Sequence, residues 1–188
     1  PTLPLIQAIV RLPSDCASDT ARVWFHPDDT SYFYWLIPES TTQGALGLIG
    51  EDGPLARRCL DRFLKSQHLE PLEFQAARIP CYSGWVPPRR RLRDADVYLV
   101  GDAAAHVKVT TVGGIVTGFR GAIGVAETIL NGRTSRLRHL RRELDSHHLL
   151  RRALGRFTQM DYERLLGMMT PSVHKILGAY TRDEAGRM

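Results

Sequence analysis

A glycine–aspartate pair and a later pair of glycines are the residues of this sequence best suited to binding a polar ligand. Gly101 and Asp102 follow the apolar segment 97–100, and Gly113 and Gly114 precede a segment with helical spacing of apolar residues. A carboxylate at the carboxyl end of a strand can accept hydrogen bonds from ribose or ribityl hydroxyl groups. A helix start offers free N–H groups and a positive dipole end, which suit an anion or a polarised carbonyl. The pattern therefore predicts a cradle for a polyol and an electron-poor ring.

The same residues are also compatible with a structural role. Asp102 could instead cap its own loop. The glycines at positions 114, 118, 121 and 124 recur every three or four residues, so their helix could pack closely against another backbone. Spacing alone leaves binding and packing both open.

The surrounding segments predict a mixed α/β (α+β) chain. Short apolar or alternating runs between residues 3 and 48, punctuated by Pro, Gly, Asp and Ser, predict an antiparallel sheet. Residues 54–67 switch to helical spacing, with an apolar face made of Leu55, Cys59, Leu60, Phe63 and Leu64. The proline- and arginine-rich segment 87–93 predicts a loop at a domain boundary.

Beyond that boundary, residues 94–102 predict a buried strand and residues 113–130 predict the helix that follows it. One apolar stripe is expected along this helix, formed by Ile115, Phe119, Ala122, Ala126 and Ile129. The sequence from residue 137 onward is strongly basic and predicts further helices.

Charge and cysteine content narrow the class of protein. The chain has 188 residues and a formal net charge of +5, which fits an anionic partner or simply a solvated basic face. Arginines within 89–93, 133–142 and 151–152 could dock to a membrane surface, but no aromatic stacking platform accompanies them, so nucleic acid is not predicted. Three scattered cysteines predict neither a disulfide framework nor a zinc site, and they favour a reducing cytoplasm.

Metal and membrane-spanning functions are not predicted. His147 and His148 are adjacent, so on a helix they would diverge by about 100° and could not easily share a metal ion. No apolar run reaches the roughly 18 residues that would span a bilayer. Another histidine, His106, could be an active-site acid or a substrate contact, or a packed loop residue beside a solvated Lys108.

Residues 101–129, GDAAAHVKVTTVGGIVTGFRGAIGVAETI, resemble the second flavin-contact motif of the geranylgeranyl reductase family of FAD-dependent oxidoreductases, relatives of the aromatic hydroxylases. Residues 32–48 resemble the family's Tyr-x-Trp-x-Phe-Pro strand and hairpin, and segments 55–64 and 141–169 resemble its later helices. Two positions depart from the motif: Ala105 replaces a common glycine, and Val112 interrupts the small-residue run. These departures predict a loop of altered shape.

The resemblance implies an enzyme that reduces carbon–carbon double bonds of a polyprenyl lipid by hydride transfer from reduced FAD, or a related monooxygenase-like activity. It implies FAD contacts at Gly101, Asp102, Ala103, Ala104, Gly113, Gly114 and Ile115, with the backbone amides of 113–115 at the pyrimidine edge of the isoalloxazine. It also implies substrate contacts at Phe33, Trp35, Ile37, Pro38 and His106. Ile37 replaces an aromatic residue of the family pattern, and no catalytic residue is implied.

The ADP-binding turn of such flavoproteins has no counterpart here. The segment 44–53, GALGLIGEDG, has glycines at the wrong spacing for GxGxxG. By resemblance the chain is therefore a carboxyl-terminal half: residues 1–86 from a substrate-binding domain, 87–132 from the FAD domain, and 133–188 a helical tail. We expect a partner that carries the GxGxxG half, or a homo-oligomer. The alternative is a non-catalytic half-domain that binds lipid or protein without FAD.

Overall fold

The computed structural model describes residues 1–170, which form two compact units. The sheet unit contains residues 2–79 and 157–162, and the helical unit contains residue 1, residues 80–156 and residues 163–170. The mixed α/β class with an antiparallel sheet is confirmed. The predicted domain boundaries after residues 86 and 132 stay predictions, and the end of the predicted helical tail, residues 171–188, lies outside the described residues.

The sheet unit is built on five strands in the order β2-β3-β4-β1-β5. The strands are β1 (Thr2–Arg11), β2 (Arg22–Trp24), β3 (Tyr34–Pro38), β4 (Gln43–Ile49) and β5 (Pro71–Pro80). The pairs β1–β4, β2–β3 and β3–β4 are antiparallel. The turn between β3 and β4 is held by Ser40, whose hydroxyl oxygen accepts the N–H groups of Thr42 and Gln43. A serine turn between two alternating runs thus sets the hairpin register.

One helix, α1 (Gly53–Ser66), covers one face of the sheet. It starts where the Asp52 carboxylate accepts the N–H of Leu55 at 2.8 Å, with a proline in the first turn. Its buried residues pack against the side chains of β1, β3 and β4 that point to the same face. The predicted helix is confirmed, with one correction to its apolar face. Leu55 lies in the exposed first turn, and Ala56 is buried instead.

The helical unit begins with a two-stranded hairpin, β6 (Arg89–Leu92) and β7 (Ala95–Tyr98). Two predictions were wrong here. The arginine run is strand β6 rather than a loop, and residues 94–102 are not a buried strand, because β7 ends at Tyr98 and pairs only with the exposed β6. Asp96 accepts a hydrogen bond from Arg89 at 2.9 Å across this hairpin, and the pair holds the pKa of Asp96 below its usual range. Arginine side chains therefore extend from a solvated ribbon.

Three helices complete the unit: α2 (Ile115–Asn131), α3 (Ser135–Leu154) and part of α4 (Gln159–Gly167). The predicted helix after residue 113 is confirmed, and it ends at Gly132 with the left-handed φ of 66°. The predicted apolar stripe is exposed rather than buried, with Ile115 at 79% and Phe119 at 70% exposure. The buried face of α2 instead consists of Thr117, Gly121, Gly124 and Val125. Small residues bring α2 close to α3, where a Cβ on Gly124 would lie 2.9 Å from Leu137.

No helix within residues 1–170 is long and apolar enough to cross a membrane.

Candidate functional site

The loop before α2 brings the Asp102 carboxylate to the start of that helix. Gly101 takes a left-handed φ of 60° and opens a short 3₁₀-helix, Gly101–Ala104. The N–H of His106 donates back to the carbonyl of Gly101 at 3.0 Å, which closes the turn. Oδ1 of Asp102 then lies 3.1 Å from the point that a Cβ on Gly114 would occupy. Asp102 and Gly114, which are twelve positions apart in the sequence, are thus neighbours in the structure.

The start of α2 keeps its backbone N–H groups available. Gly113 and Gly114 precede the helix, and the carbonyl of Gly113 accepts the N–H of Lys108 at 3.1 Å. The first intrahelical bond runs from the N–H of Gly118 to the carbonyl of Gly114 at 2.7 Å. Within residues 1–170 no side chain caps the helix, so the amides of its first turn lie at the positive end of the dipole without a side-chain acceptor. Such a terminus suits an anion or a partially negative ring edge.

The two departures from the flavin motif occupy unusual backbone conformations. Ala105 has φ 53° and Val112 has φ 52°, both in the left-handed region that glycine tolerates best. A side chain there costs about 1–2 kcal/mol per residue. The loop therefore has left-handed backbone conformations at two residues that are not glycine. The contacts around the loop stabilise this shape.

His106 is the buried centre of those contacts. Its imidazole is fully buried and stacks on Trp85 with ring centroids 5.7 Å apart and an interplanar angle of 22°. The carbonyl of His106 accepts the hydroxyl of Thr117 on α2. Burial lowers the pKa of this histidine, so the ring is held neutral. Neither ring nitrogen has a hydrogen-bond partner within the described part of the chain.

The histidine ring lies directly against a glycine of α2. A Cβ added to Gly121 would be 2.1 Å from Nδ1 of His106, well inside any real contact distance. This close approach explains why position 121 is glycine. Position 118 is glycine for a similar reason, because a Cβ on Gly118 would lie 3.3 Å from the Cα of Gly101. The structure supports the packing role of these two glycines. The part played by Gly121 with His106 was missed, since ring-to-helix contact depends on the path of the intervening loop.

The prediction that Lys108 is solvated was wrong. Lys108 is only 4% exposed, and its backbone forms an antiparallel bridge with Gly113. Nearby, the Thr110 hydroxyl and Nδ1 of His147 are 2.8 Å apart. Burial and then the charge of Lys108 lower the pKa of His147, against an opposing effect of Glu143. The loop and α3 are therefore joined by a contact between two partly buried polar groups.

Three of the four predicted substrate residues of the sheet unit, Phe33, Trp35 and Ile37, alternate with core residues and lie on the side turned away from α1. Alternation along the strand buries Tyr34 and Leu36 and leaves Phe33, Trp35 and Ile37 partly exposed. The rings of Phe33 and Trp35 meet edge to face at 6.3 Å. Trp35 also covers Gly47 of the neighbouring strand, where a Cβ would lie 2.5 Å from the indole. These residues form an apolar wall, and Pro38 ends the strand beside it.

Within residues 1–170 there is no group of three His, Cys, Asp or Glu side chains that could hold a metal ion.

Comparison with known proteins supports the fold. A crystal structure of a geranylgeranyl bacteriochlorophyll reductase-like protein from Thermoplasma acidophilum superposes with a TM-score of 0.67 at 15% sequence identity. The two proteins share a fold. The alignment covers 90% of this chain and 47% of the other, so the chain spans about half the length of that neighbour. No family model and no curated protein sequence matches the chain. The resemblance to this reductase-like protein is therefore distant, and it is a resemblance of fold.

Proposed function

We propose that this chain is a portion of an FAD-dependent oxidoreductase and supplies the flavin-facing half of its cofactor site. The observation that carries the proposal is the position of the Asp102 carboxylate, 3.1 Å from the Cβ point of Gly114 at an uncapped helix start. This juxtaposition joins a hydroxyl acceptor to a set of free amides. The distant fold likeness to a reductase-like protein agrees with it.

The residues present fit a flavin. Gly101 offers open backbone, because a Cβ there would meet nothing within 4 Å, and Ala103 is also exposed. Asp102 would accept hydrogen bonds from the ribityl hydroxyls, while the amides of Gly114 and Ile115 would face the pyrimidine edge of the ring. When bound, FAD supplies hydride chemistry, and its ring gathers negative charge on reduction. Fixed N–H dipoles at the helix start favour that charge without reorganisation.

The substrate side of the proposal rests on the sheet unit. Phe33, Trp35 and Ile37 present a continuous apolar wall, which suits a polyprenyl chain whose carbon–carbon double bonds are reduced. An aromatic and aliphatic wall binds such a chain by burial of apolar area, at roughly 25 cal/mol per Å². Ile37, at 48% exposure, is the position where a change of side-chain size should alter the accepted chain length.

A second polypeptide segment completes this site in the proposal. The outward face of α2 exposes Ile115, Phe119 and Ile123, an apolar surface that folded proteins normally cover. The fold neighbour is about twice as long as the alignment with this chain. A segment with the GxGxxG turn, which binds the ADP portion of FAD, is the occupant we assign to that face. Packing there would bury α2 against the remainder of a flavin domain.

The test measures flavin binding with matched carboxylate variants. The full chain is titrated into FAD and, separately, into riboflavin, which lacks the ADP portion, and quenching of flavin fluorescence is recorded. Asp102→Asn should weaken binding about 10–100-fold, because it removes a charged acceptor worth about 1.5–3 kcal/mol. Asp94→Asn, at an exposed hairpin position, is the control with the same charge change.

Equal affinity of the two variants would contradict the assignment of Asp102. Absence of flavin binding by the chain, both alone and mixed with a polypeptide carrying the GxGxxG half, would instead favour a non-catalytic half-domain.

A further inference from the structure

The solvent-facing side of α3 carries a row of arginines and two exposed leucines. At 100° per residue, Arg138, Arg142, Leu149 and Arg152 point within about 40° of one direction. Leu149 is 70% exposed, and the next residue, Leu150, is 50% exposed and points about 100° further round the helix. The opposite side of the helix holds the buried residues Leu137, Leu140 and Leu144. We call the outward side, together with Arg156 just beyond the helix end, the arginine–leucine face.

The arginines of this face differ from others nearby because carboxylates do not neutralise them. Elsewhere in the unit, Arg136 pairs with Glu127 at 2.6 Å, and Arg120 pairs with Glu143 at 3.0 Å. Within residues 1–170, no ion pair involves Arg138, Arg142, Arg152 or Arg156. The only carboxylate that α3 places among them, Asp145, pairs with Arg141 at 3.5 Å and accepts the hydroxyl of Tyr82. The face therefore keeps its positive charge.

A groove on the same face has a mainly apolar floor and a cationic rim. It is open, has a volume of about 510 Å³, and is lined by Ser146, Leu149, Leu150, Arg152, Ala153 and Arg156. Leucines between arginines are the arrangement by which an amphipathic helix lies in a lipid interface, with apolar side chains below the headgroups and guanidinium groups on the phosphates. A purely solvated helix face has no need of two neighbouring exposed leucines.

We propose that the arginine–leucine face docks this protein on an anionic phospholipid bilayer. The leucines enter the boundary between headgroups and acyl chains, and the four arginines contact headgroup phosphates. The inference goes beyond the proposed function and does not depend on flavin. It would place an enzyme for an apolar lipid at the surface where such a lipid resides.

The test is co-sedimentation of the full chain with vesicles of phosphatidylcholine alone and of phosphatidylcholine mixed with phosphatidylglycerol. We expect binding only to the vesicles that contain phosphatidylglycerol, and weaker binding as salt rises and screens the arginines. Each arginine near an anionic surface contributes about a fivefold change in affinity. The double variant Arg152→Gln/Arg156→Gln should therefore bind about 25-fold more weakly.

Two further variants separate docking from general charge attraction. Arg22→Gln/Arg58→Gln changes two exposed arginines of the sheet unit and lowers the net charge by the same amount, so it should bind like the unaltered chain. Leu149→Ser/Leu150→Ser keeps the charge and should reduce binding about tenfold or more, because apolar insertion is lost. All these positions are exposed, and circular dichroism would check that the variants fold.

Absence of binding to the anionic vesicles at low salt would overturn the proposal. So would equal losses in the two arginine variants, because net charge alone would then explain the attraction. Full binding by the leucine variant would also overturn it. None of these outcomes affects the flavin titration, which uses no lipid.

Discussion

Replacing Gly121 with alanine should destabilise the protein, although alanine is the better helix former. Gly121 lies inside α2, where exchange of glycine for alanine at an open site would stabilise the helix by about 1 kcal/mol. At this site the new methyl group would lie 2.1 Å from Nδ1 and 2.4 Å from Cε1 of His106. The imidazole has little freedom to retreat, because it is fully buried and stacked on Trp85. The clash therefore makes the change in the free energy of unfolding destabilising.

The expected magnitude follows from these two opposing effects. Overpacking of a buried site costs about 1–3 kcal/mol, and an overlap greater than 1 Å belongs at the upper end of about 3 kcal/mol. Subtracting the helix gain of about 1 kcal/mol leaves a net loss of about 2 kcal/mol in the free energy of unfolding. Urea denaturation followed by far-ultraviolet circular dichroism would measure it. Gly167→Ala is the matched control, because a Cβ at this helical glycine meets nothing within 4 Å among the described residues.

A double-mutant cycle assigns the loss to the histidine ring. In a His106→Ala background the clash is absent, so Gly121→Ala should become stabilising by about 1 kcal/mol. The reasoning is refuted if Gly121→Ala alone is as stable as the unaltered chain, or if its penalty persists after the ring has been removed.

Two other predictions concern the same loop and its contact with α3. Burial lowers the pKa values of His106 and His147, so the unfolded chain binds protons more readily than the folded chain. The free energy of unfolding should therefore be steady above about pH 7.5 and should fall as the pH drops below about 6.5. The midpoints of urea denaturation, measured across this pH range, would record the change. A pH-independent midpoint between about 7.5 and 5.5 would contradict this. Val112→Gly should raise the melting temperature, because relief of about 1–2 kcal/mol of left-handed strain exceeds the glycine entropy cost of about 0.5–1 kcal/mol. Val107→Gly, at a buried valine without positive φ, should lower it instead.

Local patterns in the sequence determine much of the sheet unit. Alternation in residues 34–38 places Tyr34 and Leu36 in the core, and the 3.6-residue spacing of Cys59, Leu60 and Phe63 does the same for α1. Asp52 and the following proline mark the start of that helix through capping geometry alone. The antiparallel sheet and this helix were predicted because they depend on the periodicity of residues close in sequence, whereas the cap at Asp52 is a finding of the structure.

Tertiary contacts decided the features of the helical unit that the sequence left open. Residues 97–100 are as apolar as a buried strand, yet β7 is an exposed ribbon, because burial depends on which segments pack on a strand. Likewise, the sequence predicts both an apolar stripe and a glycine series on α2, and in the structure Gly121, Gly124, Thr117 and Val125 form the buried side. Close packing selects small residues where two backbones approach, and hydropathy alone does not reveal this.

The candidate site also has features that the sequence determines and features that only the tertiary structure determines. Its residue types are visible in the sequence, since Gly101 and Asp102 follow an apolar run and Gly114 precedes a segment with helical spacing. Their proximity depends on a loop that doubles back, which requires the burial of His106 against Gly121 and the bridge from Lys108 to Gly113. Sequence determined which groups could bind a polyol and a ring, and only the three-dimensional path of the loop placed the carboxylate beside the helix start, because distances between separated residues are set by packing.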